Sequence, residues 1–194
     1  MRKTKVLTGM AILSALVVIL TLLGNMIRIG PFSVTLSLTP IIVGAAVFGP
    51  EVGAMLGAVF GIVVLISGVA GWDGGATMLL LSQNAFATIL ICMLKGILAG
   101  WVSGLVYKAA VKRSEKLAVV LAGITAPVVN TGIFIALMLV FFMSVLELWS
   151  SGQTLLNYIL IVLTGFNFLI ELAINMILAS AITTIIKYAK TDAQ

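Results

Sequence analysis

Long apolar runs, separated by short polar or glycine-rich stretches, dominate the pattern of the chain. A helix needs about 20 residues to cross the hydrocarbon core of a bilayer, and the second of these runs is short for a full span. The pattern predicts an all-α integral membrane protein with six transmembrane helices in a single domain, residues 1–194. The predicted helices cover residues 6–27, 37–48, 51–69, 84–107, 117–142 and 155–186.

Glycine and proline mark the boundaries between several of these runs. Gly49 and Pro50 separate the second run from the third, because proline ends one helix and starts the next. The third run is rich in glycine and alanine, which allows helix backbones to approach closely. Residues 67–82 contain four glycines beside Trp72 and Asp73, and this composition predicts a long turn-rich loop.

Basic residues flank the apolar runs unevenly. The first run is too long for the apolar region of a signal peptide, which indicates a retained helix. By the positive-inside rule, both termini are expected in the cytoplasm, since the outer loops then carry only Arg28. The inner flanks carry the other basic residues: Arg2, Lys3, Lys5, Lys108, Lys112, Arg113, Lys116, Lys187 and Lys190.

Composition excludes several classes of protein. With 62% hydrophobic and 9% charged residues, the chain differs from soluble enzymes, in which about a quarter of residues are charged. The net charge of +5 is attributed to topology signals and not to nucleic-acid binding, because the basic residues flank apolar runs. The chain has no histidine and one cysteine, Cys92, which indicates neither a metal site nor a disulfide framework. We expect no cofactor.

Two ionisable residues lie deep within predicted spans. Lys95 is on the fourth predicted helix and Glu171 is on the sixth. A charge at that depth costs at least ~2.5 kcal/mol on insertion scales, so such residues usually face a partner or a hydrated cavity. Asn167, Glu171 and Asn175 recur at helical spacing and form one polar stripe, which should face protein or water.

Other polar residues are expected at a similar depth. The fifth predicted helix carries Asn130 and Thr131, and the fourth carries Asn84 at its outer end. At ~1.5 Å per residue, Lys95 lies ~16 Å below Asn84, and Asn130 and Asn167 lie ~18 Å below the outer ends of their helices. These depths predict one shared cavity.

Other interpretations of the polar residues remain open. Lys95 and Glu171 could form an interhelical ion pair, and the asparagines could join helices by hydrogen bonds. An intramembrane enzyme would use Glu171 as acid or base with Lys95, but Glu171 is the only deep acid, which disfavours this hypothesis. Trp101 and Trp149 are interpreted as interface anchors, whereas Trp72 is interpreted as a ligand platform within a lid.

The order of motifs resembles a family of membrane transport proteins. The basic start followed by Ala11-Ile12-Leu13-Ser14-Ala15 is similar to the A-x-x-x-A pattern of substrate-binding S components of energy-coupling factor (ECF) vitamin transporters. Residues 33–50, which end in Gly-Pro, and residues 127–132, Pro-Val-Val-Asn-Thr-Gly, also resemble this family. The six-helix layout with both termini inside extends the resemblance across the whole chain.

The resemblance implies a multi-pass subunit of the cell membrane that captures a water-soluble vitamin with high affinity and is not an enzyme. Its partners would be a transmembrane coupling protein and two ATPases, which it would contact through Ala11 and Ala15. The ligand cavity of the family is extracellular, between the outer loops and helices four to six. The expected substrate-binding residues are Trp72, Asn84, Lys95, Asn130, Thr131, Asn167 and Glu171.

The substrate expected from the resemblance is pantothenate. The chain looks most like S components assigned to this hydroxylated amide, and residues 130–132 and 167–171 carry that resemblance. Lys95 or Arg28 would bind its carboxylate, and asparagines would bind the amide and hydroxyls. Folate, riboflavin, pyridoxine and a thiamine precursor remain alternatives, because one fold accommodates very different ligands.

Overall fold

The computed structural model describes residues 2–29, 32–33, 35–150, 152–159, 161, 168–177 and 184. A short antiparallel hairpin pairs β1 (Arg28–Ile29) with β2 (Phe32–Ser33). The rest of the described architecture is helical. The helices are α1 (Arg2–Asn25), α2 (Leu38–Phe48), α3 (Pro50–Val69), α4 (Ala76–Gln83), α5 (Ala85–Ala110), α6 (Glu115–Phe141), α7 (Met143–Ser150), α8 (Leu155–Asn157) and α9 (Phe168–Ile177).

Four helices of the described chain are long and apolar enough to cross a membrane. They are Thr4–Asn25 within α1, and all of α3, α5 and α6. α2 and α9 are apolar but shorter. The sixth predicted run, residues 155–186, is described only in part, so the prediction of six spans stays a prediction, as does the cytoplasmic location of the termini.

Glycines on both helices allow α3 and α5 to pack in close contact. A Cβ atom added to Gly53 would lie 2.5 Å from the carbonyl oxygen of Gly100, and Gly57 faces the backbone of Gly96 in the same way. The partner numbers fall along α5 as they rise along α3, so the two helices run antiparallel. Only glycine leaves room for backbones that approach this closely.

Further contacts bring the beginning of α1 and the end of α5 to one end of the protein. A Cβ atom on Gly9 would meet the ring of Phe48 at the end of α2, and one on Gly104 would lie 2.8 Å from Cα of Pro50 at the start of α3. α6 begins at the same end, because residues 111–114 join it to α5. We call this the basic end, since it carries Lys5, Lys108, Lys112, Arg113 and Lys116.

The predicted loop over residues 67–82 is wrong in its extent. α3 continues to Val69, the turn occupies residues 70–75, and α4 follows it. The Asp73 carboxylate accepts hydrogen bonds from the backbone N–H groups of Gly75 at 3.0 Å and Thr77 at 2.8 Å. This cap satisfies amide groups that would otherwise lack partners, so the apolar segment after the glycines starts a helix.

The glycine contact between α3 and α5 leads to a stability prediction. We expect Gly57→Ala to destabilise the fold by about 1–3 kcal/mol, because the added methyl group would collide with the backbone of α5. Gly132 on α6 is a matched control, since a Cβ atom there meets nothing within 4 Å. Thermal unfolding in detergent should show a lower melting temperature for Gly57→Ala only. Equal melting temperatures would contradict the tight contact.

Candidate functional site

A cavity of about 110 Å³ lies between the helices, large enough for water or a small ligand. It is lined from the second half of α1, the segment before α2, and the second half of α3. The rest of the wall comes from the turn after α3 and from α4, α5, α6, α7 and α9. The cavity-lining parts of α1, α3 and α5 are those farther from the basic end.

Polar groups of the first third of the chain form one side of the cavity. Thr21 on α1 donates a hydrogen bond to Oγ of Ser37 at 3.1 Å, and both residues are buried and line the cavity. The Thr21 hydroxyl has one proton, which the carbonyl oxygen of Val17 at 2.6 Å can also accept; when it does, the Ser37 hydroxyl donates to Thr21 across the 3.1 Å contact. The contact between Thr21 and Ser37 therefore links α1 to the segment that leads into α2.

The cavity wall also includes α9, which is hydrogen-bonded to the chain around the start of α2. The backbone N–H of Thr35 donates to Oε1 of Glu171 at 3.2 Å, and the Thr39 hydroxyl donates to Oδ1 of Asn175 at 3.0 Å. Glu171 and Asn175 are only 3% and 2% exposed. Of the two, Glu171 lines the cavity.

Lys95 lies between aromatic rings in the cavity wall. Its ammonium group is 5.6 Å from the ring centroid of Phe60 on α3 and 5.4 Å from that of Phe134 on α6. Both distances are within the range of cation–π attraction. Among the described residues, Oε1 of Glu171 accepts the backbone N–H of Thr35 and Oε2 has no hydrogen-bond partner, so neither oxygen is bonded to Lys95. The geometry thus disfavours the hypothesis that Lys95 and Glu171 are present only to form an interhelical ion pair.

Asn130 and Thr131 join Lys95 and Glu171 in the cavity wall. Asn130 is 5% exposed and lies on α6, beside Glu171 of α9. The structure therefore brings together four of the seven residues that the sequence analysis assigns to substrate binding. Their roles as ligand contacts remain proposals.

The other three predicted residues have different surroundings. Trp72 is 53% exposed, and the described lining of the cavity does not include it. Asn84 is exposed at the start of α5, where its Oδ1 accepts the backbone N–H of Ala87 at 3.0 Å and caps the helix. Asn167 lies outside the described residues.

The cavity also includes residues that the sequence analysis did not assign to the ligand site. Phe60 and Phe134 belong to apolar helices in which no local pattern distinguishes a cavity-lining ring from a core ring. Trp149 was interpreted as an interface anchor, whereas the structure includes it in the cavity wall. Two further lining residues, Thr35 and Ser37, follow the hairpin. The only sequence signal for their role is the clustering of hydroxyl-bearing residues over residues 33–39.

Long apolar helices around a cavity with charged and aromatic side chains define the class of small-molecule-binding membrane proteins. A family model described as ECF transporter, substrate-specific component, matches residues 5–186, and the chain belongs to this family. Members are substrate-binding subunits of transporters that associate with the ECF module, and the chain is accordingly a multi-pass membrane protein. No curated protein matches the chain at a significant level.

The positions of the tryptophans lead to a fluorescence prediction. Because Trp149 lines the cavity, ligand binding should change its emission, and we expect Trp149→Phe to remove most of the fluorescence change on titration with pantothenate. Trp72→Phe is the matched control, since Trp72 is exposed. Loss of the signal in Trp72→Phe instead would contradict this expectation and support closure of residues 70–75 over the ligand.

Proposed function

We propose that the chain captures pantothenate in this cavity at the extracellular face of the cell membrane and delivers it through an ATP-driven ECF transporter. The observation that carries the proposal is the combination of the Lys95 ammonium group with hydrogen-bonding groups in one cavity: buried Asn130 and Glu171, and partly buried Thr131. A charged or polar group is retained at membrane depth when it serves a ligand or a hydrated site.

The orientation of the proposal is supported by the basic end. Exposed lysine and arginine residues concentrate there, and the positive-inside rule assigns that end to the cytoplasm. The cavity would then open to the outside, where a vitamin is captured. Both termini would be cytoplasmic in a six-helix arrangement.

The choice of pantothenate is supported by complementary chemistry. Lys95 would bind its carboxylate, and Asn130 with Thr131 would bind amide and hydroxyl groups. The aromatic rings beside Lys95 would contact the apolar part of the molecule. Folate, riboflavin, pyridoxine and a thiamine precursor are the alternatives, and mass spectrometry of small molecules extracted from the purified protein would distinguish them.

Neutralising Lys95 tests the role of the cation. We expect Lys95→Gln to weaken pantothenate binding by about 1.5–3 kcal/mol, the value of a hydrogen bond to a charged group. The melting temperature should change little, because neither oxygen of Glu171 is hydrogen-bonded to Lys95. Isothermal titration calorimetry and thermal unfolding of purified protein measure both quantities.

Lys108→Gln is the matched control, since Lys108 is on the same helix but is exposed at the basic end. It should bind pantothenate like the unmodified protein. A large loss of stability in Lys95→Gln with unchanged affinity would show that Lys95 is structural and would contradict the proposal.

Docking on the coupling protein is proposed to use Ala11 and Ala15. Both are exposed on α1, between its basic start and the cavity-lining Thr21 and Asn25. Small side chains at this spacing leave a shallow groove in which another helix can pack closely. Ligand capture and docking would therefore use separate parts of the same helix.

We expect Ala11→Trp or Ala15→Trp to abolish pantothenate uptake by cells that contain the ECF module, while binding by the purified subunit is retained. Ile124→Trp is a control on another helix, since Ala11 and Ile124 each lie nine residues after the first residue of their helix and both are exposed. It should retain uptake. Loss of binding together with uptake, in a folded Ala11→Trp protein, would count against separate surfaces.

A further inference from the structure

Two buried oxygen atoms in the cavity wall have no hydrogen-bond partner within the part of the chain that the structure describes. They are Oε2 of Glu171 and Oδ1 of Asn130. The residues are 3% and 5% exposed, and both line the cavity. Leaving a buried polar atom unsatisfied destabilises the protein, so such atoms are expected to receive a donor from a ligand or water.

The Lys95 ammonium group and the two unsatisfied oxygen atoms have different hydrogen-bonding requirements. The Lys95 ammonium can only donate, whereas the Asn130 amide oxygen and Oε2 of Glu171 in its ionised form can only accept. A ligand that satisfies all three must therefore offer an acceptor to Lys95 and donors to Glu171 and Asn130. Phe60, Phe134 and Trp149 line the same cavity and suit an apolar part of the ligand.

The second acidic residue of the cavity wall has a different role. Asp73 also lines the cavity, but its two carboxylate oxygens accept the N–H groups of Gly75 and Thr77. Its hydrogen-bonding capacity serves the start of α4. Glu171 is thus the carboxylate with an oxygen left for a ligand.

We infer that the cavity selects a small organic acid that carries hydrogen-bond donors, with its anionic group on Lys95 and its donors on Oε2 of Glu171 and Oδ1 of Asn130. The inference rests on the proposed function of the cavity as the ligand site. It adds two acceptor atoms, on Glu171 and Asn130, that would bind the donor groups of the ligand. The donors that we assign to these two oxygen atoms are hydroxyl groups of the ligand.

Glu171→Gln reverses the hydrogen-bonding character at one point of the cavity. The N–H of Thr35 donates to Oε1, so an amide in this position keeps its oxygen toward Thr35 and turns its NH2 group to the place of Oε2. The variant then presents a donor where the unmodified protein presents an acceptor. Its size and its contact with Thr35 are retained.

The experiment compares three compounds by isothermal titration calorimetry on purified protein in detergent. Pantothenate carries a carboxylate and hydroxyl donors, panthenol lacks the carboxylate, and N-acetyl-β-alanine lacks the hydroxyls. We expect pantothenate to bind at least about ten-fold more tightly than either other compound, since each lacks a charged hydrogen bond. Equal affinity of pantothenate and N-acetyl-β-alanine would overturn the inference.

The variant gives a second, ligand-specific result. Glu171→Gln should weaken pantothenate about 10- to 100-fold and leave N-acetyl-β-alanine nearly unchanged, because only pantothenate carries the hydroxyl donors. Equal weakening of both compounds, or no weakening of pantothenate, would overturn the inference. Asn130→Ala, which removes the other acceptor, should weaken pantothenate about 2- to 10-fold and decides the matter if Glu171→Gln does not fold.

Asn175→Ser is the matched control on α9. Asn175 is as buried as Glu171 and bonds to Thr39, but it does not line the cavity. The variant should lower the melting temperature without changing the affinity for either compound. A loss of pantothenate affinity equal to that in Glu171→Gln would show an indirect structural effect and overturn the inference.

Failure of the proposed function has a separate signature. If the unmodified protein binds none of the three compounds, pantothenate is excluded, and mass spectrometry of small molecules extracted from the purified protein decides the inference. An extracted acid with donor groups supports it, and a compound that lacks either feature overturns it. Binding with the expected pattern but no uptake by cells with the ECF module would contradict the transport function alone.

Discussion

The close contact of α3 with α5 positions the rest of the candidate site. At Gly57 and Gly96 the two backbones approach so closely that no side chain fits between them. This close contact fixes which residues of the two antiparallel helices lie side by side. The residues next to this contact are Phe60 on α3 and Lys95 on α5. The ring of one and the ammonium of the other therefore meet at the same level, 5.6 Å apart.

The cavity that adjoins this contact holds opposite charges apart instead of pairing them. Glu171 is held by a backbone N–H from the segment before α2, and Lys95 is held between aromatic rings. Groups fixed in advance by the fold lose less freedom when a ligand arrives, which increases affinity. Burying a charged group in a medium of low dielectric is costly unless another group bonds to it. A ligand that bonds to both Lys95 and Glu171 would therefore take the place of water at each of them.

α1 connects the two surfaces on which the proposed transport function depends. Its second half contributes Thr21 to the cavity wall, where the hydroxyl contacts Ser37. Nearer to the start of the helix, it exposes Ala11 and Ala15. Because a helix transmits displacement along its axis, a ligand-dependent change near Ser37 and contact with a coupling protein would act on one rigid element.

The sequence by itself determined the membrane class and the main helices, and it predicted the depth of the important polar residues. Charge at membrane depth is so costly that Lys95 and Glu171 were recognisable as special from their positions alone. Trp149, Phe60 and Thr35 could not be assigned in this way, since their side chains suit a lipid interface, a core or a loop equally well. Only the tertiary structure decided that they share a wall with Lys95, because that proximity comes from helix packing between residues far apart in the chain. The same is true of Asn84, whose side chain the structure assigns to a helix cap instead of the cavity wall.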